Sequence, residues 1–317
     1  MFLAPSGLRA VAVCLSLVPM GASAASVRTL VASTGTDSGP CSRAAPCRSF
    51  AYAVTQTSPG GELDVLDSGG YGPVTITQGI SIINDGNIAS VAVPATQTGI
   101  SVNAGATDTV VLRGLTVEGS NAGYNGIAFF SGGRLVVRDC VLQNFATGGA
   151  FYQGNGILMQ PQSGSPKISI VNTTVLNSKT VGIYLVPPNT STATTLLDVD
   201  NVSALGNVNG FVISNLGTGS AVASVSNSVS SGNTDNGFAF GGGSLTATLD
   251  LSRATGNAAG IYTTIDAQSK LYVSRSVVTR NTTGVKNVFG AILSFRDNRI
   301  AGNGTDISGT VTTATPQ

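Results

Sequence analysis

From residue 99 onward, a Gly-apolar pair recurs through the chain: Gly99-Ile100, Gly126-Ile127, Gly156-Ile157, Gly182-Ile183, Gly210-Phe211, Gly237-Phe238, Gly260-Ile261 and Gly284-Val285. About half a period after each pair comes an alternating apolar-polar run, such as Ile168-Ser169-Ile170, Leu197-Asp198-Val199, Leu249-Asp250-Leu251, Leu271-Tyr272-Val273 and Leu293-Ser294-Phe295. A third column is Asn, at Asn144, Asn177, Asn207, Asn233, Asn257, Asn281 and Asn303. Each unit holds two or three runs of period-2 alternation and no helical period, and Gly, Asn, Ser and Thr fill the connections. Self-similarity at roughly 22 to 30 residues, with short strands only, predicts an all-β solenoid, a single parallel β-helix. Crossovers between parallel strands make it right-handed. Stacked coils place like residues above one another at about 4.8 Å, so that Ile and Val columns fill the interior. Asn columns then stack at turns, and each Gly supplies a positive φ or a close approach at a corner.

Before the repeats, residues 48–57 place Phe50, Ala53 and Val54 on one helical face, and Pro59-Gly60-Gly61 ends that helix. A short helix there caps the open end of the apolar column. The expected organisation is a signal segment over residues 1–24, a cap over 25–60, the parallel β-helix over 61–309 and a flexible tail over 310–317. The signal reading rests on Arg9, the apolar run 10–19 and the small-x-small site Ala22-Ser23-Ala24. It predicts a secreted protein, extracellular or periplasmic. No later stretch reaches the roughly 18 apolar residues of a membrane span.

Composition sharpens this. Charged residues are 10% of the chain, against about 25% in ordinary domains, and 41 of the 317 residues are Gly. Loss of the signal removes Arg9, one of 16 basic residues, and leaves 15 against 15 acidic. Such a neutral chain offers no electrostatic case for nucleic acid. There is no His, which excludes Ser-His-Asp triads, Cys-His pairs and His-ligated zinc. In Gly39-Pro40-Cys41-Ser42-Arg43-Ala44-Ala45-Pro46-Cys47, a turn-rich loop in an oxidising compartment, Cys41 and Cys47 are expected to form a disulfide. Cys140 follows a strand pattern and reads as a buried free thiol.

The chain resembles the right-handed parallel β-helix superfamily typified by pectate lyases over roughly residues 48–309. The likeness is carried best by the opening: the cap helix, Gly60-Gly61-Glu62-Leu63-Asp64-Val65-Leu66, Tyr71-Gly72-Pro73-Val74-Thr75-Ile76 and Ile80-Ser81-Ile82-Ile83. It is similar to many exported β-helix repeat proteins. That resemblance implies a fold and leaves activity open, since the superfamily hosts lyases, hydrolases, esterases, epimerases and adhesins. Polygalacturonase-like hydrolysis and alginate-epimerase-like chemistry need Asp-Asp or Asp-Pro-His-Glu patterns that are absent here. Pectate-lyase-like elimination needs Ca²⁺ held by carboxylates and a basic residue.

Alignment of the coils on Asn puts Arg138, Val171, Asp200, Ser226, Asp250, Ser274 and Arg296 in one outward column. Val136, Ser169, Asp198, Ser224, Thr248, Tyr272 and Ser294 fall in the next. Asp198 and Asp200, two apart on one strand, are the candidate Ca²⁺ ligands, with Arg253 or Lys179 as base. Tyr184 and Tyr262 share a third outward column with Leu158 and Val212, a platform for a glycan or for a covering loop such as 187–195. The leading expectation is a carbohydrate- or cell-surface-associated β-helix protein that binds polysaccharide or cell-surface glycan without catalysis and without a cofactor. The alternative is a Ca²⁺-dependent uronate lyase.

Overall fold

The computed structural model describes Met1 and residues 25–149 and 152–315. The expected signal segment, Met1 apart, and the last two residues of the expected tail lie outside them. The described residues form three parallel sheets of twelve, ten and ten strands, in which neighbours are every third strand in sequence except for the opening pair Ser26–Val31 and Thr57–Val65, which are consecutive. Sheet A runs from Ser26–Val31 to Thr312–Thr313, sheet B from Gly69–Gly70 to Arg299–Ile300, and sheet C from Val74–Ile76 to Thr305–Ser308. Each coil contributes one strand to A, then B, then C, which is a parallel β-helix. Pairing thus starts before residue 61 and runs beyond 309, the expected limits.

The interior is a set of stacked columns. Leu63, Ile82, Leu112, Val137, Ile170, Val199, Val225, Leu249 and Val273 stack in register on the inner face of sheet A and are buried. Sheet C stacks Ile100, Ile127, Ile157, Ile183, Phe211, Phe238, Ile261 and Val285, as the Gly-apolar repeat predicts. The Phe211 and Phe238 rings stack at 4.7 Å. In their coils sheet B supplies Ala204 and Ser230, where other coils carry Leu142 and Val175. Large and small residues thus compensate across the core, which keeps it close-packed.

Two expectations are corrected in detail. The repeating glycines sit within sheet C strands and serve close approach, with no positive φ. A β-carbon on Gly126 would lie 2.6 Å from the Gly156 carbonyl oxygen, and one on Gly182 would lie 2.7 Å from that of Gly210. The Asn column is in fact two adjacent columns. Asn144 and Asn177 hold left-handed backbone at the B–C corner, in line with Gly206, Gly232 and Gly256. One residue later begins a buried ladder of Asn207, Asn233, Asn257 and Asn281, which continues to Asn303. Phe145 and Ser178 occupy the ladder position in the two earlier coils, which is why spacing alone merges the columns.

The A–B corner repeats the device. Asp139, Asn172, Asn201 and Asn227 are left-handed there, and a buried serine ladder follows, in which Ser228 donates its N–H to Ser252 Oγ and Ser252 its N–H to Ser276 Oγ, each at 3.2 Å.

The N-terminal end is closed by the helix Phe50–Gln56, whose buried residues are Phe50, Ala53 and Val54, the face expected from their spacing. Ser49 caps it by accepting the Tyr52 N–H. Asp37 in turn accepts the N–H groups of Arg48 and Ser49 at 2.8 and 2.9 Å. Cys41 and Cys47 form the expected disulfide.

Several carboxylates fasten one coil to the next. Asp67 accepts from the Tyr71 hydroxyl and from the Ser33 N–H, which hold it below the usual carboxylate range. Asn227 and Ser226 lower Asp200 in the same way, and Arg275 lowers Asp250. A carboxylate lowered on folding stabilises fully above its unfolded value of about 3.9, and that contribution is lost as pH falls through the folded value. With no His to titrate, melting temperature is expected to be flat between about pH 5 and 8 and to fall below about pH 4. A melt series over pH 2–8 checks this, and a marked drop between pH 5 and 7 contradicts it.

Candidate functional site

The outer face of sheet A carries the candidate carboxylates. Burial alternates along the strand Thr194–Asp200, so Leu196, Asp198 and Asp200 face outward while Leu197 and Val199 face the core. The register confirms both outward columns as far as Tyr272 and Ser274. It departs in the last coil, where Leu293 and not Ser294 pairs with Tyr272. The strand Ala291–Ser294 is entered one residue differently there, and Arg296 lies past its end at a left-handed corner.

Asp198 and Asp200 share a face but do different things. Asp200 Oδ1 accepts from the Ser226 hydroxyl and from Asn227 Nδ2, both at 2.7 Å, so this carboxylate is committed to the next coil. Asp198 is exposed and lines a shallow groove of about 560 Å³ on the face of sheet A. Ca²⁺ takes six to eight oxygen ligands, and among the described residues no three His, Cys, Asp or Glu side chains converge to hold a metal. One free and one committed carboxylate do not fit a resident Ca²⁺.

The expected bases lie elsewhere. Lys179 is exposed at the B–C corner, between Thr174–Leu176 and Val181–Leu185, where its N–H donates to the Phe145 carbonyl at 3.1 Å. Arg253 opens the sheet B strand Arg253–Thr255, in line with Val229 and Val277. Neither lines the groove. The cations that do are Arg134 and Lys167, one column further toward the strand starts. That column reads Thr109, Arg134, Lys167, Leu196, Val222, Thr246 and Lys270 in register. The coil alignment contains it, two residues before the Asp198 column, but a column of mixed chemistry carries no periodic signal.

On sheet C, Tyr184 stands in register with Leu158 and Val212, and Tyr262 follows Ala239, as the spacing predicts. The first half of this column is covered. Ala128, Leu158 and Val186 form a small buried cluster against which Phe130, Tyr152 and Tyr184 pack. The cover comes from Tyr152, whose ring centroid lies 6.3 Å from that of Tyr184, and so from the loop before Asn155–Met159 as well as from Val186. Burial pushes the Tyr184 hydroxyl pKa up. Tyr262 lies under the Lys286 ammonium, 5.6 Å from its ring centroid.

Cys140 is the expected buried free thiol. Burial raises its pKa to about 12, which leaves it protonated and without nucleophilic character. Among the described residues no helix is long and apolar enough to cross a membrane.

In sequence, no family model and no curated protein matches the chain. Among solved structures it is similar to a pectate lyase, at 16% identity over 91% of this chain and 77% of that one, with a TM-score of 0.45. It is similar also to the A-module of an Azotobacter vinelandii mannuronan C-5 epimerase, at 12% identity over 81% and 91%, with a TM-score of 0.43. The Dettilon tailspike protein aligns at 11% identity over 90% and 68%, with a TM-score of 0.37. At such distance the fold rests on the chain's own register: three parallel sheets, wound coil on coil, with Asp198, Arg134 and Lys167 on the open face of one of them.

Proposed function

We propose that the chain is an exported β-helix repeat protein that binds an acidic polysaccharide or cell-surface glycan along the outer face of sheet A, without catalysis. The observation that carries this reading is the lining of the groove. Arg134 and Lys167 stand side by side on neighbouring strands, about 4.8 Å apart by strand spacing. Next to them Leu196 and Val222 are 46% and 48% exposed. Hydroxyls of Ser169, Ser224, Thr246 and Thr248 complete the lining. Guanidinium and ammonium donors recognise carboxylate or sulfate by charge-assisted hydrogen bonds. Exposed Leu and Val, with the apolar stems of Arg and Lys, suit the C–H faces of sugar rings. Asp198 is the groove's one carboxylate among its lining residues, which leaves an acid or base without the paired partner that sugar hydrolysis uses. The Cys41–Cys47 disulfide supports an oxidising compartment.

Affinity electrophoresis through gels containing polygalacturonate or alginate tests this. Retention is expected, weakened by salt and reduced about ten-fold or more in the Arg134→Ala, Lys167→Ala double variant. Equal retention of the double variant sinks the reading. So does a chelator-sensitive unsaturated product, read by near-ultraviolet absorbance and abolished in Asp198→Asn, which would establish the lyase instead.

A further inference from the structure

A second concavity lies where the chain turns from sheet C back to sheet A. It has a volume of about 710 Å³ and is lined by Phe289, Asp266 and Thr264 over the glycines Gly242, Gly243 and Gly290. That volume falls within the roughly 300–1,000 Å³ of small-molecule sites. Three features show that it is built into the fold.

The first is an aromatic ring held in solvent. Phe289 is 67% exposed, and a β-bulge puts it there. Between Ala259–Ile265 and Thr283–Phe289 the register shifts, so that Thr263 pairs with Asn287 but Thr264 with Phe289. The extra residue, Val288, re-aims Phe289 into line with the outward Thr264. Asn287 ties the bulge down: its Oδ1 accepts from Thr263 Oγ1 at 2.7 Å, and its Nδ2 donates to the carbonyls of Gly290 and Thr310 at 3.1 and 2.7 Å.

The second is a positioned carboxylate. Asp266 Oδ1 accepts from the Gln268 N–H and the Ser269 hydroxyl, both at 3.1 Å. Oδ2 is thereby held over Gly243, where a β-carbon would meet it at 2.5 Å. The third is a floor that must stay bare. Gly290 has φ +95°, and a β-carbon there would strike the Ile265 carbonyl oxygen at 2.6 Å.

We propose that this pocket binds a neutral pyranose. An exposed ring stacks on the axial C–H face of a sugar. A carboxylate oxygen accepts hydrogen bonds from two vicinal hydroxyls, and bare glycine backbone lets the ring approach. Thr264 adds a hydroxyl at the rim. Asp266 is the one charged residue among those lining the pocket, so a uronate is repelled where a neutral hexose is accepted. The site is separate from the sheet A groove in position and in charge.

Saturation-transfer NMR on the folded chain tests the proposal, with neutral trisaccharides of glucose, mannose, galactose and N-acetylglucosamine as probes and trigalacturonate as the charged comparison. At least one neutral probe is expected to receive magnetisation. Phe289→Ala should weaken its binding roughly five- to ten-fold, and Asp266→Asn should weaken it while keeping the Oδ1 contacts that hold the turn. The Arg134→Ala, Lys167→Ala double variant should leave it unchanged, which separates this site from the groove. The proposal is overturned by no neutral probe binding at millimolar concentration, by undiminished binding in both Phe289→Ala and Asp266→Asn, or by trigalacturonate competing for the pocket.

Discussion

Asn257→Leu should destabilise the protein by about 3–5 kcal/mol, among the largest effects of any polar substitution in the chain. Asn257 Oδ1 accepts both the N–H and the Nδ2 of Asn233, at 3.0 and 2.9 Å. Its own Nδ2 donates to Asn281 Oδ1 at 3.0 Å and to the Ser230 carbonyl at 3.2 Å. Asn233, Asn257 and Asn281 are at most 4% exposed. A leucine there strands the Asn233 N–H in the core, at about 1–3 kcal/mol, while Asn233 Nδ2 keeps Ser230 Oγ and the Ala204 carbonyl. The other three side-chain bonds of Asn257 are lost with it, at about 0.5–1.5 kcal/mol each. The comparison is Asn201→Gly at the A–B corner. Asn201 is exposed, has φ +53°, and gives up one bond from its Nδ2 to Asn172 Oδ1 at 2.9 Å. Water replaces that bond and glycine keeps the backbone, so the loss should stay under about 1 kcal/mol. Denaturant midpoints of the two variants decide the matter. Equal losses would mean that the ladder contributes no more than a surface turn.

Gly126→Ala should cost about 2–4 kcal/mol through overpacking. The added methyl would meet the Gly156 carbonyl oxygen at 2.6 Å, Phe145 Cζ at 2.7 Å and Leu142 Cδ2 at 2.8 Å. None of these can swing away, because the ring and the leucine are fully buried and the carbonyl belongs to the next coil. Gly164→Ala is the control. Gly164 has φ +80° and open space where its β-carbon would go, so only backbone strain remains, about 1 kcal/mol. If the two substitutions cost the same, the repeating glycines are there for their φ, and the account of close coil-to-coil approach fails. Thermal melts of both variants read the difference directly.

The coil repeat was legible because burial is enforced at every turn. Leu249 must pair with Val225 and Val273, and such columns survive in the sequence as a period. The helix Phe50–Gln56 showed for the same reason: three residues on one face must meet the end of the core. Legibility fails where two columns of one residue type run side by side. Asn177 and Asn207 look alike, yet one turns the chain at the surface with φ +54° and the other bonds within the core. It fails again in the last coil, where Leu293 replaces Ser294 in the expected register.

The candidate site was half legible. Asp198 was found on the outer face because alternation along the strand dictates it. Arg134 and Lys167 were missed because an exposed column is under no packing rule, and nothing periodic links Thr109 to Lys270. Lys179 and Arg253 fall within about two coils of Asp198, yet neither shares its sheet. A coil corner sends residues onto different sheets within a few positions. The exposure of Phe289 depends on a bulge, which has no signature in the residue pattern.

The asparagine ladder also has a direction. From Asn207 to Asn281 each Nδ2 donates forward to the Oδ1 of the next asparagine, and each oxygen from Asn233 to Asn303 receives from the coil before, while each Nδ2 also donates back to a carbonyl of the preceding coil. The row ends on Asp306 Oδ1, which accepts the N–H and Nδ2 of Asn303 at 3.0 and 2.9 Å. A run of like-oriented amide dipoles closed by an anion is arranged as a helix is with a carboxylate at its N-terminus. Each coil therefore polarises the one behind it, and the array is anchored electrically at its far end as well as by packing. Fraying should then travel as a zipper does, starting at the exposed final coil and halting at the helix-capped, disulfide-closed beginning.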